Sequence, residues 1–253
     1  MPTVTIDGAH GEMSVYVATP STDGPWPGVI VISDALGMTT DLRNQADWLA
    51  GECYLVAAPD IYYWGGRIRC MFSLMRQALA REGQIFDDLD VIRTWLSDNE
   101  SCSGRIGVIG FCLGGGFALL LAGTGGYQAS SVNYGTVPKD AETLLAGACP
   151  IVAGYGARDP TLRKAPALLE QVLSANGVPH DIKVYDDAGH AFINDHDPAD
   201  EPRWAMIAGS MSRSGYHEPS AIDARRRIVA FFGTHLAGRL ETPEPRPEGD
   251  QVL

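Results

Sequence analysis

The chain has 253 residues, 45% of them hydrophobic and 20% charged, which is enough apolar material for one large α/β domain. A net charge of −12, with no basic cluster denser than Arg225-Arg226-Arg227, excludes nucleic acid as an expected partner. The longest apolar run, Phe117 to Ala122, is far shorter than the roughly 20 residues of a membrane span, and five cysteines without a C-x-x-C pair exclude a disulfide framework or zinc ribbon.

The first residues, MPTVTIDGAHGEM, have neither the basic start nor the apolar stretch of a signal peptide, so a cytoplasmic protein is expected. Apolar periodicity then predicts strands at Met13 to Ala18 and Gly28 to Ser33, a helix at Leu42 to Gly51, a strand at Tyr54 to Ala58 and a long helix at Met71 to Asp98. A strand at Arg105 to Ile109 hands over to a helix at Cys112 to Ala122. Strands follow at Ser130 to Tyr134 and Cys149 to Gly154, a helix at Thr161 to Ala175, a strand at Asp181 to Tyr185 and a helix at Ala221 to Leu240.

This alternation predicts an α/β fold with a mostly parallel sheet and helices on both faces. No helix separates the first two strands, so they are expected to pair as an antiparallel hairpin. The arginine triplet is read as the wet side of the last helix. A single domain is expected over residues 1–240, followed by a disordered acidic, proline-rich tail at 241–253.

Between the strand at 105–109 and the helix at 112–122 stands Gly110-Phe111-Cys112-Leu113-Gly114. Ligands of open α/β sheets bind beyond the carboxyl ends of the strands, where Cys112 falls. The glycines do not fit G-x-G-x-x-G, and no G-K-[ST] closes a P-loop. The spacing does fit a nucleophile elbow, G-x-S-x-G, with cysteine in place of serine. Glycines two before and two after Cys112 relieve crowding at a sharp turn, and the Leu113 N–H would point at a developing oxyanion. The competing reading is a small buried cysteine between strand and helix.

A thiol nucleophile needs a base, and the base an orienting acid, in the chain order nucleophile, acid, histidine. Of His180, His190, His196, His217 and His235, only His190 follows a strand's carboxyl end, in the loop DAGHAF. His180 precedes a strand and His235 lies inside the last helix. Asp159, in GARDP after the strand at 149–154, is placed as the acid; its competing role is an N-cap-like aspartate. Asp186 and Asp187 are too near His190 in sequence to approach its ring easily from behind. Cys112, Asp159 and His190 are the predicted triad.

With elbow, acid loop and histidine loop in this order, the chain from about Gly28 to Leu236 resembles the dienelactone hydrolase (carboxymethylenebutenolidase) family of α/β-hydrolases. GFCLGG at 110–115, APD at 58–60, NYG at 133–135, GARDP at 156–160 and AGHAF at 188–192 carry the resemblance. It implies the α/β-hydrolase fold and cleavage of a small-molecule lactone or ester through a cysteine acyl-enzyme, without a cofactor or metal. It also implies a second oxyanion donor in the loop after the strand at 28–33, the Ala35 N–H.

Two departures are visible. Where the family carries a glutamate that holds the resting thiol, this chain has Asp34; where it carries an arginine four positions after the histidine to grip a substrate carboxylate, it has Asn194. Arg67, Arg69 or Arg76 could supply the charge instead, and Phe111, Tyr62, Tyr63, Trp64, Tyr134 and Phe192 could line an apolar pocket wall. Residues 194–220 read as a cap, carrying Trp204, Met206 and Met211, or as a surface excursion. Within them, His196 beside Asp195 and Asp197 reads as a solvated acidic loop, not a metal site. A broad carboxylesterase or thioesterase, and a non-catalytic binding protein on the same fold, are the alternatives. A monomer or homodimer is expected.

Overall fold

The apolar run that leads into Cys112 is buried because it forms the inner part of β5 (Cys102–Phe111), the fifth position of an eight-stranded sheet. The computed structural model describes residues 2–8, 10–200 and 202–236. Its other strands are β1 (Thr3–Gly8), β2 (Gly11–Ala18), β3 (Trp26–Ile32), β4 (Leu55–Pro59), β6 (Ala129–Asn133), β7 (Ile151–Gly156) and β8 (His180–Tyr185). The order is β1-β2-β4-β3-β5-β6-β7-β8. The β1/β2 and β2/β4 pairs are antiparallel, and every pair from β4 through β8 is parallel.

The helices are α1 (Thr40–Gly51), α2 (Arg67–Ala80), α3 (Gln84–Ser97), α4 (Leu113–Ala122), α5 (Ala141–Leu144), α6 (Ala165–Ala175), α7 (Arg203–Ser212) and α8 (Glu218–Leu236). They explain why the central strands read as continuous apolar runs. In β3, Val29 and Val31 face α1 and α8 through Leu49, Ile228 and Phe232, while Ile30 and Ile32 face the opposite core with Leu89, Phe117 and Leu169. A parallel strand covered on both faces leaves no side chain for water. Each such aliphatic residue contributes about 1.5 to 3 kcal/mol through burial.

Three expectations are corrected. The strands at 13–18 and 28–33 do not pair; β2 turns back on β1, whose Thr3 to Gly8 escaped the sequence pattern, and its other edge lies against β4. The helix expected over 71–98 is two helices. Arg81 adopts a left-handed conformation (φ 59°), its N–H donating to the Gln77 carbonyl at 2.7 Å, and Gly83 (φ 120°) turns the chain before α3. The Gln77 side chain also bridges the break by accepting the Ile85 N–H at 2.9 Å. Of the arginine triplet only Arg226 is exposed. Arg225 lies over the Trp48 ring, and Arg227 pairs with Asp181 at 2.6 Å. The segment at 194–220, read as a cap or a surface excursion, contains α7 over 203–212. The tail expected at 241–253 lies outside the described residues, as do the side chains of Arg67, Trp204 and Met206.

Candidate active site

Five chain segments leave the carboxyl ends of β3, β5, β6, β7 and β8, and each delivers one part of the site. After β5, Cys112 adopts φ 53° and ψ −110°, a conformation that L-residues avoid, and α4 begins at the next residue. The two glycines of the pentapeptide make this possible. A Cβ on Gly110 would stand 1.9 Å from the Gly114 carbonyl oxygen, and one on Gly114 would stand 2.3 Å from the carbonyl oxygen of Ile32. The Cys112 N–H donates to the Asn133 carbonyl at 3.0 Å, and its own carbonyl accepts the Gly116 N–H at 3.1 Å. The thiol is held half-buried at the start of α4.

The expected triad partners come together from separate loops. Nδ1 of His190 lies 2.7 Å from Oδ2 of buried Asp159. Because a carboxylate only accepts, this nitrogen carries the proton and Nε2 is left for the thiol. The other oxygen of Asp159 accepts from the Thr161 N–H at 2.8 Å and from its hydroxyl at 2.6 Å. One oxygen of Asp159 thus faces His190 and the other closes a turn on Thr161; α6 begins only at Ala165 with Lys164 before it, so Asp159 is not its N-cap. Burial works against charge on His190, yet its hydrogen bonds with Asp159 and with Cys112 prevail and push the ring up to about 10. For Asp159 burial is outweighed by His190 and Thr161, and its carboxyl sits below the ordinary value.

Beneath the triad lies a buried aromatic layer. Tyr134, at φ 42° after β6, has its ring centroid 5.1 Å from that of His190 and 5.4 Å from that of Phe192. Phe111, Tyr134 and Phe192 are all buried in the core, so these three support the site from below and do not form the accessible pocket wall expected of them. Burial, with Asp41, Asp34 and Cys112 adding to it, raises the Tyr134 phenol well above its usual value and keeps it a hydrogen-bond donor. It donates to Oδ1 of Asn194.

Asn194 therefore stands in a buried network. Its Nδ2 donates to Oδ2 of Asp41 at 2.6 Å, while Oδ1 of Asp41 accepts from Gln45 at 3.0 Å and from the Asp195 N–H at 3.0 Å. This ties the start of the excursion at 194–220 to the first turn of α1. Arg69 and Arg76 stand exposed on α2. No substrate-gripping position opens at Asn194 itself, because its amide is spent on the fold.

Asp34 does not turn to the thiol. Its Oδ1 accepts from the Leu36 N–H at 2.8 Å, and its Oδ2 lies 2.8 Å from Nε2 of His196. His196 is accordingly corrected from a residue of a solvated acidic loop to one whose side chain is only 10% exposed. Between Asp34 and Leu36, Ala35 has its carbonyl fixed by the Tyr62 hydroxyl at 3.1 Å. Sequence reasoning missed the Asp34–His196 pair, the Tyr62 contact and the Thr161 clamp. Only the last had a local signal, an aspartate two residues before a threonine.

The profile of the Dienelactone hydrolase family matches residues 13–236. The chain belongs to this family. A carboxymethylenebutenolidase of Rhodococcus opacus is 28% identical over 236 residues, covering 87% of this chain and 86% of the relative. A Salmonella typhimurium relative is 30% identical over 250 residues, covering 91% and 86%. A solved structure from Klebsiella pneumoniae superposes with a TM-score of 0.75 at 26% identity, covering 92% of this chain and 97% of the other. The fold is that of the family's α/β-hydrolases. Among the described residues no helix is long and apolar enough to cross a membrane.

Proposed function

We propose that the chain is a cysteine-dependent hydrolase of small esters or lactones, with Cys112 as nucleophile, His190 as base and acid, and Asp159 as the group that orients His190. The observation that carries this reading is a His190 ring bonded through Nδ1 to Asp159 at 2.7 Å and raised in basicity by the neighbouring Cys112, which itself sits on a strained turn.

In the reactive pair the proton is already held on Nε2 of His190, whose value of about 10 keeps it there at neutral pH, and Sγ attacks the substrate carbonyl carbon. The carbonyl π electrons move to oxygen, forming an oxyanion that the N–H groups of Leu113 and Ala35 receive; each such donor is worth about a hundred- to a thousandfold in rate. When the intermediate collapses, the C–O bond to the leaving group breaks, and His190 returns its proton to the departing oxygen. A thioester on Cys112 remains. Water then gives a proton to His190 and attacks the thioester; the C–S bond breaks, the acid is released, and the thiol is restored.

Neutral substrates suit the site better than carboxylates. The side chains fixed around it include three acids, Asp34, Asp41 and Asp159, and Asn194 is committed to Asp41 and Tyr134. The test compares a neutral p-nitrophenyl ester with a dienelactone, using wild type and Cys112→Ala. Turnover of the neutral ester that disappears in Cys112→Ala supports the reading. Equal activity of the alanine variant, or no hydrolysis of either compound by the wild type, would sink it.

A further inference from the structure

We propose that His196 is a positioning residue for the oxyanion-binding turn, acting through Asp34; this rests on the hydrolase reading above. Ala35 lies in a turn whose shape is set by hydrogen bonds on both sides. Oδ1 of Asp34 accepts the Leu36 N–H at 2.8 Å, the Asp34 carbonyl accepts the Gly37 N–H at 3.3 Å, and the Tyr62 hydroxyl holds the Ala35 carbonyl at 3.1 Å. An aspartate that caps a turn with one oxygen still rotates about its side-chain bonds unless the second oxygen is also fixed. His196 fixes it, with Nε2 at 2.8 Å and both side chains about one tenth exposed. At that depth the contact is far less screened than a surface ion pair.

His196 is in turn held by the loop that carries the base. It follows His190 by six positions, and between them the Asn194 N–H donates to the Ala191 carbonyl at 3.0 Å and the Asp195 N–H to Asp41 at 3.0 Å. Farther along, Asp200 accepts the Thr40 N–H at the start of α1 at 3.2 Å. One segment thus places the base and, through Asp34, the electrophilic turn. Displacing a reacting group by an ångström costs about a hundredfold, so loss of this support is expected to appear in the chemical step.

The experiment measures two rates in wild type, His196→Ala and His196→Gln: hydrolysis of a p-nitrophenyl ester, and alkylation of Cys112 by iodoacetamide. Alkylation needs the thiol and His190 but no oxyanion donor. For His196→Ala, kcat is expected to fall about ten- to a hundredfold with KM changed less than about threefold and alkylation unchanged. His196→Gln, which can present a donor to Asp34, is expected to recover most of the loss. Unchanged kcat in His196→Ala, or an equal fall in alkylation, overturns the proposal. If His196→Ala does not fold, Asp34→Asn carries the comparison: it can still cap Leu36 but puts an amide in place of the carboxylate oxygen that faces His196, so kcat falls with alkylation intact, and unchanged kcat overturns the proposal. A wild type that alkylates but does not hydrolyse esters overturns both this proposal and the hydrolase reading, whereas hydrolysis that is insensitive to His196 counts against the positioning role alone.

Discussion

Asp159 meets His190 with one carboxylate oxygen, Oδ2 at 2.7 Å from Nδ1, while Thr161 occupies the other with its N–H and hydroxyl. The acid is therefore held in its rotamer before His190 is considered, and the imidazole tautomer follows from it. Asp159→Asn keeps the size of the side chain but can turn an amide N–H toward Nδ1. Its kcat on a p-nitrophenyl ester is expected to fall about a hundredfold or more, with the melting temperature moved little by comparison.

The pH dependence of stability follows from His190. Its native value of about 10 lies above the unfolded value near 6.5, so the folded chain holds the proton more tightly. The resulting stabilisation is fully present below pH 6.5 and is lost as pH rises through about 10. Melting curves of wild type and His190→Gln from pH 6 to pH 10.5 check this. The advantage of the wild type should be greatest at the acid end and shrink toward pH 10; a constant difference would contradict it.

Gly110 is predicted to be intolerant of any side chain. A methyl there would lie 1.9 Å from a backbone oxygen that cannot rotate away, so the elbow or β5 must shift. Gly110→Ala is expected to lose about 3 kcal/mol or more in urea unfolding, together with most activity. Gly51→Ala, whose added Cβ meets nothing within 4 Å, is the matched control and should unfold as the wild type does.

The carboxylate of Asp41 collects donors from Gln45, Asn194 and the Asp195 N–H. Asp41→Ala leaves these buried groups without their acceptor and should cost about 2 to 4 kcal/mol. Hydrogen exchange is expected to rise at 193–196 in that variant. An unchanged exchange rate there would show that the network does not anchor the loop.

The parallel core was legible because each strand is a short apolar run, and the loops that carry Cys112, Asp159 and His190 were legible because each follows such a run. GFCLG announced its own turn. Elsewhere the pattern was too weak. Met71 to Asp98 is helix-compatible throughout, and the break depends on Arg81 adopting a left-handed conformation, which arginine does not advertise; Gly83 was the available signal. β1 is an edge strand with mostly exposed or half-buried residues, so it lacks a strong apolar run. The Asp34–His196 pair joins loops far apart in sequence, and such a meeting depends on how the loops leave the sheet. Phe111 and Phe192 read as candidates for a pocket wall, but neither the end of β5 at Phe111 nor the loop at Phe192 reveals in sequence that both rings are buried in the core.

Acylation of Cys112 is tested by intact-mass and peptide-mass spectrometry of the protein acid-quenched during turnover of a p-nitrophenyl ester. A single added acyl group on the peptide containing Cys112, absent in Cys112→Ala, is the predicted result. Turnover with Cys112 unmodified and the acyl group on another residue would contradict it.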